Sequence, residues 1–286
     1  MFCDLALARR LERAEAKANA GFVEARAKVY PQSGACWIEV AGAYAMFDTP
    51  SSPVTQTFGL GLFQKTGPVE MEQIEQFFHE RGASVFHEVS PQADLAVLTL
   101  LNERGYQPIE FTSVMFRPIS PGLSLAVAPN ANIQVRLARA DEQELLMRIT
   151  AKGWSHFPEL TGFILEVGKF DGQRPGALSF LAELNGQAIA TGVLCLSDGV
   201  ALLGGACTVP EGRRQGAQLA LLESRLRYAA EGGCDLAMMC AQPGSASQRN
   251  AERHGFRIAY TRLKWQLVRG QRLMPSSSGG KRIIEN

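Results

Sequence analysis

The sequence lacks the features of several protein classes. Its six cysteines contain no Cys-x-x-Cys pair and no spacing with its four histidines of the zinc-binding kind, so we expect reduced, mostly buried thiols and no metal site. The formal net charge is only +1, without the basic excess of nucleic-acid-binding proteins. No apolar run approaches the roughly 18 to 20 residues of a membrane span. The charged N-terminus also lacks a secretory signal, which predicts a cytoplasmic protein that binds neither nucleic acid nor membrane.

The composition is that of a globular protein with a sizeable core. Of 286 residues, 46% are hydrophobic and 20% are charged, which suits one large domain or two of moderate size. In the first half, hydrophobic periodicity predicts the order α-β-β-α-β-α-β. Its first helix, residues 5–28, is expected to lie on the surface and to break near Gly21. Residues 36–47 and 55–63 are the first two predicted strands.

The second half begins with a predicted strand, residues 133–137, and a helix, residues 141–152. Three strands in meander order follow, because Asn185-Gly186 and Asp198-Gly199 are turn signals between apolar runs. The predicted helix 218–231, strand 234–241, helix 247–254 and strand 258–267 complete this half. The fold class is therefore α/β, with mixed, mostly antiparallel sheets flanked by helices.

Composition also suggests where the halves divide. Residues 120–132 are rich in Pro, Gly, Ser and Asn and form the predicted linker between a domain at 1–119 and a domain at 133–268. The tail 269–286 is expected to be disordered. Residues 100–116 and 249–265 share the order helix, Gly-aromatic, strand, so either an internal duplication or chance similarity is possible.

A loop between a predicted strand and a predicted helix carries the main functional signal. Residues 208–218 read TVPEGRRQGAQ, with glycines and two arginines but no set of acidic ligands. Backbone N–H groups at a helix N-terminus, together with nearby positive charge, favour a phosphate-bearing ligand. The loop after the strand at 55–63 has no Arg-x-x-Gly and contains Pro68, which lacks an amide donor.

The loop resembles the V-x-P-x-x-R-x-x-G-x-G/A signature of the GNAT superfamily of acetyl-CoA-dependent N-acyltransferases. The resemblance covers residues 131–268 and departs from the signature at its last position, where Gln218 stands. It implies two GNAT-like domains in tandem, of which the first is a degenerate copy without a cofactor loop.

The resemblance also implies the residues that contact acetyl-CoA. The expected donor-binding set comprises Thr208, Val209, Arg213, Arg214, Gln215, Gly216, Ala217, Gln218, Leu219 and Asn250. Main-chain groups of Cys207, Thr208 and Val209 would pair with pantetheine, and an N–H near Val209 would polarise the thioester carbonyl.

The residues that move protons are less well defined. Many family members have a tyrosine where this chain has Ala251, so Tyr260, Ser247 or water would supply the proton to the leaving thiolate. His156 and Glu183 are the candidate general bases, although a packed histidine and a solvated carboxylate are the simpler interpretations. Trp154 and Phe157 are candidate walls of the acceptor site.

The resulting hypothesis is direct transfer of acetyl from acetyl-CoA to a primary amine of a small molecule or peptide. A non-catalytic protein that senses CoA or binds a partner is the alternative, which Ala251 favours slightly. The sequence identifies neither the acceptor nor the oligomeric state.

Overall fold

In the part of the chain that the structure describes, eleven strands from both halves form one continuous mixed sheet. The computed structural model describes residues 2–123, 130–156 and 161–268, so parts of the predicted linker and the whole predicted tail lie outside the described residues. The first half contains α1 (Leu5–Val29), β1 (Cys36–Val40), β2 (Ala43–Phe47), β3 (Gln56–Phe58), α2 (Pro68–His79), β4 (Phe86–Val89), α3 (Leu95–Glu103) and β5 (Tyr106–Pro118).

The second half contains β6 (Ile133–Leu137), α4 (Gln143–Gly153), α5 (Thr161–Val167), β7 (Ala177–Leu184), β8 (Gln187–Ser197), β9 (Val200–Thr208), α6 (Ala217–Glu231), β10 (Leu236–Ala241), α7 (Ala246–Arg253) and β11 (Arg257–Leu267). The predicted α/β class is confirmed. The second half follows the predicted order of elements except for α5, which lies where no helix was predicted. Among the described residues, no helix is both long and apolar enough to cross a membrane.

The two halves exchange their last strands. The sheet order is β1-β2-β3-β4-β11-β5-β10-β9-β8-β7-β6. The last strand of the first half, β5, therefore lies between β11 and β10, while β11 lies between β4 and β5. This exchange could not be predicted from hydrophobic periodicity, which identifies strands but not their neighbours.

Helix α1 lies between the halves and is unbroken. Its N-cap, Asp4, accepts a hydrogen bond from the Leu7 amide at 2.8 Å, which satisfies one free N–H of the first turn. At Gly21 a Cβ atom would lie 3.5 Å from Pro175, so this glycine marks a close approach rather than a break. Twelve of the helix residues are buried, and the expectation of a surface helix was therefore wrong.

Residues 36–47 form a hairpin rather than one strand. Ala41 and Gly42 have φ angles of 49° and 79°, and two consecutive positive φ values are typical of a type I′ turn between antiparallel strands. The alanine concealed this turn, because the usual signal is Asn-Gly or Asp-Gly. The first half consequently has five strands before the linker, rather than the predicted four.

A buried ionic cluster joins α1 to the exchanged strand β11. Arg262 pairs with Glu15 at 2.6 Å and Glu12 at 3.3 Å, both on α1, and with Glu88 of β4 at 2.9 Å. Burial raises the pKa of Glu12 to about 7, although the guanidinium of Arg262 opposes this shift. Since several kcal/mol are lost when one partner of a buried pair is removed, the cluster fixes the position of β11.

Candidate functional site

Strands β9 and β10 are parallel neighbours that separate part of the way along their length. Their pairing is confined to Val200–Leu202 opposite Leu236–Met238. Beyond it, β9 continues to Thr208 and β10 to Ala241. The diverging ends leave a slot beside the C-terminal part of β9, where main-chain groups are available to a ligand.

The orientation of the main chain along this slot follows from the hydrogen bonds to β8. The Val209 amide donates to the Ile189 carbonyl at 2.9 Å, and Thr208 lies opposite Ala190 in the same antiparallel ladder. Because alternate residues direct their N–H and C=O groups to opposite edges, those of Thr208 face the slot. The Val209 amide is engaged with β8, so it does not suit the predicted role of polarising a thioester carbonyl.

The loop after β9 places backbone N–H groups at the mouth of the slot. Arg214 has a φ of 63° and Gly216 a φ of 92°, both in the left-handed region that is uncommon for an arginine. Alternation of such residues with right-handed or extended ones turns successive amides toward one point and makes an anion-binding concavity. Strain of this kind at Arg214 is typical of functional loops.

Helix α6 begins at this loop without a side-chain cap. Gly216 is its N-cap, no side chain accepts from the first turn, and the first turn contains no acidic residue. The amides of Ala217, Gln218 and Leu219 have no partner within the helix. Their partial positive charge therefore adds to that of the arginines in the loop.

A cavity of about 560 Å³, here called the loop cavity, lies at this helix N-terminus. Of the predicted site residues, it is lined by Trp154, His156, Thr208, Arg213, Arg214, Gly216, Ala217, Gln218, Leu219 and Asn250. Most of the set predicted from the loop sequence thus lies around one space.

Two members of the predicted donor-binding set lie beside this space rather than in its lining. Val209 is buried in the core of the second half, and the Gln215 carbonyl accepts a hydrogen bond from the Asn130 side chain at 2.9 Å. The departure from the family signature at Gln218 also has a local explanation. Its side-chain amide donates to the Thr208 hydroxyl at 2.8 Å, which ties the start of α6 to the end of β9.

The aromatic and basic side chains of the loop cavity contact one another. His156 Nδ1 lies 3.4 Å from Nη2 of Arg213, and the same nitrogen of Arg213 donates to the Gly153 carbonyl at 3.4 Å. The rings of His156 and Trp154 are nearly parallel, with centroids 6.3 Å apart. These contacts place the only predicted base of this cavity next to a cation.

A β-bulge interrupts β9 next to the loop cavity. Its pairing with β8 shifts between Thr191, opposite Cys207, and Val193, opposite Gly204. Two residues of β9, Gly205 and Ala206, are therefore opposite a single residue of β8, Gly192. Gly205 has a φ of 58°. A bulge leaves an extra residue outside the ladder, so a main-chain amide becomes available at this point.

Arg225 of α6 holds the bulge from beneath. Its guanidinium donates to the carbonyls of Val193 and Gly204, at 3.0 and 3.2 Å, and to Leu221 at 3.1 Å. Burial lowers the pKa of Arg225 to about 10. Arg225 is buried, and it approaches Gly192 so closely that a Cβ there would lie 2.9 Å from its guanidinium.

A second cavity of about 300 Å³, here called the apolar cavity, lies on the other side of the bulge. Helices α1, α4 and α5 cover it, and the bulge glycines Gly204 and Gly205 form part of its floor. The hydroxyl groups of Thr150 and Thr191 are 3.4 Å apart, and Thr191 lies 3.4 Å from the Cys207 thiol. This polar chain connects the linings of the two cavities.

The remaining predicted catalytic residues lie elsewhere. The Tyr260 hydroxyl donates to Glu12 at 2.8 Å inside the buried cluster of the exchanged strand, and burial raises its pKa well above its usual value. Glu183 pairs with Arg136 at 2.6 Å. Neither lines either cavity, so their positions do not suit the predicted roles. Ser247 is exposed on α7, and Phe157 lies outside the described residues.

Several residues of the site were not singled out from the sequence. Gly153, which ends α4, faces Cys207 so closely that a Cβ would lie 2.6 Å from the sulfur. Gly192, Gly204 and Gly205 shape the bulge. The only available signal was the density of glycine in two apolar strands, which often marks a bulge or a close approach.

Comparisons with known proteins agree with this architecture. No protein-family model matches the chain, and no curated protein matches it either. Among solved structures, a GCN5-related N-acetyltransferase from Kribbella flavida superposes with a TM-score of 0.62 at 19% identity, covering 89% of this chain and 97% of that one. One from Sphaerobacter thermophilus gives 0.53 at 18% identity, covering 74% and 71%.

A tandem GNAT protein from the clavulanic acid biosynthesis pathway also matches. Its TM-score is 0.55 at 10% identity, with 89% of this chain and 96% of that chain covered. The chain therefore has the GCN5-related N-acetyltransferase fold in its tandem form. The resemblance stated from the loop sequence is confirmed at the level of the fold.

Proposed function

We propose that this protein transfers an acetyl group from acetyl-CoA to a primary amine by direct attack. The observation that carries the proposal is the uncapped N-terminus of α6, which opens beside the slot between β9 and β10. A pyrophosphate suits this position because free amides, a helix dipole and two arginines converge there. The fold supports an acyltransferase in general, and the choice of acetyl-CoA is part of the proposal.

The proposed donor extends from the loop to the bulge. Its pyrophosphate contacts the amides of Ala217 to Leu219 and the arginines, while the pantetheine arm pairs with the outward-facing main chain of Thr208. The thioester then lies near Gly205 and Ala206. An amide of this bulge, rather than that of Val209, polarises the carbonyl in the manner of an oxyanion hole.

The acceptor amine occupies the apolar cavity and reaches the thioester across the bulge. Its nitrogen attacks the carbonyl carbon, the carbon–sulfur bond breaks, and the amine proton passes to water. Because a thiol is comparatively acidic, CoA can leave as the thiolate, which then takes a proton from water. Ala251, buried where many family members have a tyrosine, supplies no hydroxyl. His156 is the remaining candidate for proton transfer in the loop cavity.

A thermal shift measurement tests the donor site. Acetyl-CoA at about 100 times its dissociation constant should stabilise the folded protein by roughly 2.7 kcal/mol, because a ligand that binds only the folded state raises its melting temperature. The double variant Arg213→Ala, Gly216→Glu should lose this shift, since it removes a cation and adds a carboxylate at the anion site. Absence of any shift in the native protein contradicts the proposal.

The control for backbone strain is Gly233→Glu. Gly233 follows the other end of α6, has a φ of 88° and has nothing within 4 Å of its Cβ position. The variant Gly233→Glu therefore introduces glutamate, as in Gly216→Glu, at a comparable left-handed position far from the slot. This variant should lose stability but retain the shift with acetyl-CoA.

The rival function is a non-catalytic protein that binds CoA as a structural ligand or signal, and Ala251 is the observation that favours it. Release of free thiol from acetyl-CoA across a panel of amines, amino acids and peptide N-termini separates the two. A protein that binds acetyl-CoA but releases no thiol above the uncatalysed rate with any acceptor fits the rival function.

A further inference from the structure

The lining of the apolar cavity indicates which amines it accepts. Aliphatic and aromatic side chains dominate, among them Phe22, Leu146, Met147, Phe163 and Ile164. Among the described residues of the lining, Arg174 is the only charged one, and none is acidic. A volume of about 300 Å³ is at the lower end of the range for small-molecule sites.

From this lining we propose that the acceptor is a small amine with an apolar body and no second positive charge. The inference rests on the proposed function, since it concerns the acceptor of the same transfer. Among the described lining residues, a second ammonium would find no carboxylate to pair with, and an unpaired buried charge is strongly disfavoured. Polyamines and aminoglycosides are therefore poor acceptors.

The first half of the chain contributes to this selection. Asn19 and Phe22 of α1, together with Val54, line the cavity from one side. Phe22 stacks on Phe163 of α5 with centroids 6.0 Å apart, and the guanidinium of Arg174 lies 5.4 Å from the centre of the Phe22 ring. The unit without a donor loop thus forms part of the acceptor wall.

The same lining explains how the amine becomes nucleophilic without a carboxylate base in the described part of the cavity. Transfer of an ammonium into an apolar space lowers its pKa, because desolvation disfavours the charged form. The acceptor therefore enters as the free amine. The rate should rise with pH along the titration of the amine itself.

Two amines of equal length test whether a second positive charge is excluded. Heptylamine ends in a methyl group where 1,6-diaminohexane has a second ammonium, and they are otherwise identical. We expect kcat/KM, measured as thiol release from acetyl-CoA, to be at least about 100-fold higher for heptylamine. Equal or faster transfer to the diamine overturns the inference, as does failure of both amines in a protein whose thermal shift shows that acetyl-CoA binds. Absence of that shift instead refutes the proposed function itself.

A substitution that fills the cavity tests its location. Gly204 lies in the floor, its φ is not in the left-handed region, and nothing lies within 4 Å of its Cβ position, so Gly204→Leu should fold. It should lower kcat/KM for heptylamine at least about tenfold while the acetyl-CoA dissociation constant changes less than about twofold. Gly162→Leu, on α5 with equally open space, is the matched control. Unchanged kcat/KM in the Gly204 variant contradicts the assignment.

Discussion

The two halves build the same arrangement of strand, loop and helix, but only one leaves the helix N-terminus open. In the first half, the Gly67 amide at the start of α2 donates to the carboxylate of Glu70 at 2.8 Å. In the second half, Leu219 occupies the corresponding position of α6, three residues after the N-cap. The first helix therefore neutralises its own dipole, and the second leaves its dipole to a ligand.

The loops before the two helices also differ, because the first is filled by buried apolar side chains and the second borders an open cavity. After β3 the first half continues with Leu60 and Leu62, both buried, and Phe63 packs against Gly42 and Gly59. After β9 the second half has Arg213 and Arg214, which border an open cavity. Moreover, β3 pairs with β2 without a register shift, whereas β9 contains the bulge. The same arrangement of strand, loop and helix is thus filled in the first half and open in the second.

Leu219→Glu is the substitution that should remove this difference most completely. It places the self-capping acid of α2 at the same position of α6, where it would compete with the pyrophosphate. We expect at least about a 100-fold loss of acetyl-CoA affinity, since juxtaposed like charges cost several kcal/mol. Titration calorimetry measures the change, and Leu219→Gln, of similar size but neutral, should lose far less. Equal losses in both variants would show that the carboxylate is not responsible.

Arg225→Met tests the bulge, the second feature that distinguishes the halves. It removes the donors to the carbonyls of Val193 and Gly204 while preserving much of the apolar volume. A bulge that relaxes by a fraction of an ångström should lower kcat about tenfold or more, with the acetyl-CoA dissociation constant nearly unchanged. Steady-state kinetics separate these quantities, and circular dichroism checks the fold. A rise in KM for acetyl-CoA with normal kcat would contradict this role.

Glu70→Gln changes the acidic residue that caps α2 in the first half, and we expect it to have the smallest effect of these substitutions. Loss of the charged cap should destabilise the protein by about 1 kcal/mol, as is typical of a helix N-cap. It should not create a second donor site, because buried leucines fill the loop before α2. Urea unfolding gives the first quantity and the stoichiometry of acetyl-CoA binding gives the second. A second equivalent of bound acetyl-CoA would show that the cap alone closes this half.

The loop that borders the loop cavity could be singled out from the sequence because its signal is local. Residues 208–218 combine arginine, glycine and the start of a helix within one short segment, and backbone amides need no distant partner. The apolar cavity and the buried Arg225 were not predictable in this way. Their roles depend on α1, α5 and β8 meeting around β9, and hydrophobic periodicity contains no information about which elements become neighbours.

The role of Tyr260 was also not predictable, because it depends on which elements surround β11. Its position near the end of the second half made it a reasonable substitute for a missing tyrosine. The strand exchange, however, places β11 between β4 and β5, so its hydroxyl meets Glu12 of α1. The domain boundary at residues 120–132 remains a proposal, and the exchanged strands imply that the halves stay associated on either side of it.

The proposed function requires that one chain binds one acetyl-CoA, at the N-terminus of α6. Isothermal titration calorimetry of the native protein measures this stoichiometry. We expect one acetyl-CoA per chain and loss of binding in the double variant Arg213→Ala, Gly216→Glu. A stoichiometry of two, or binding that survives this double change, would contradict it.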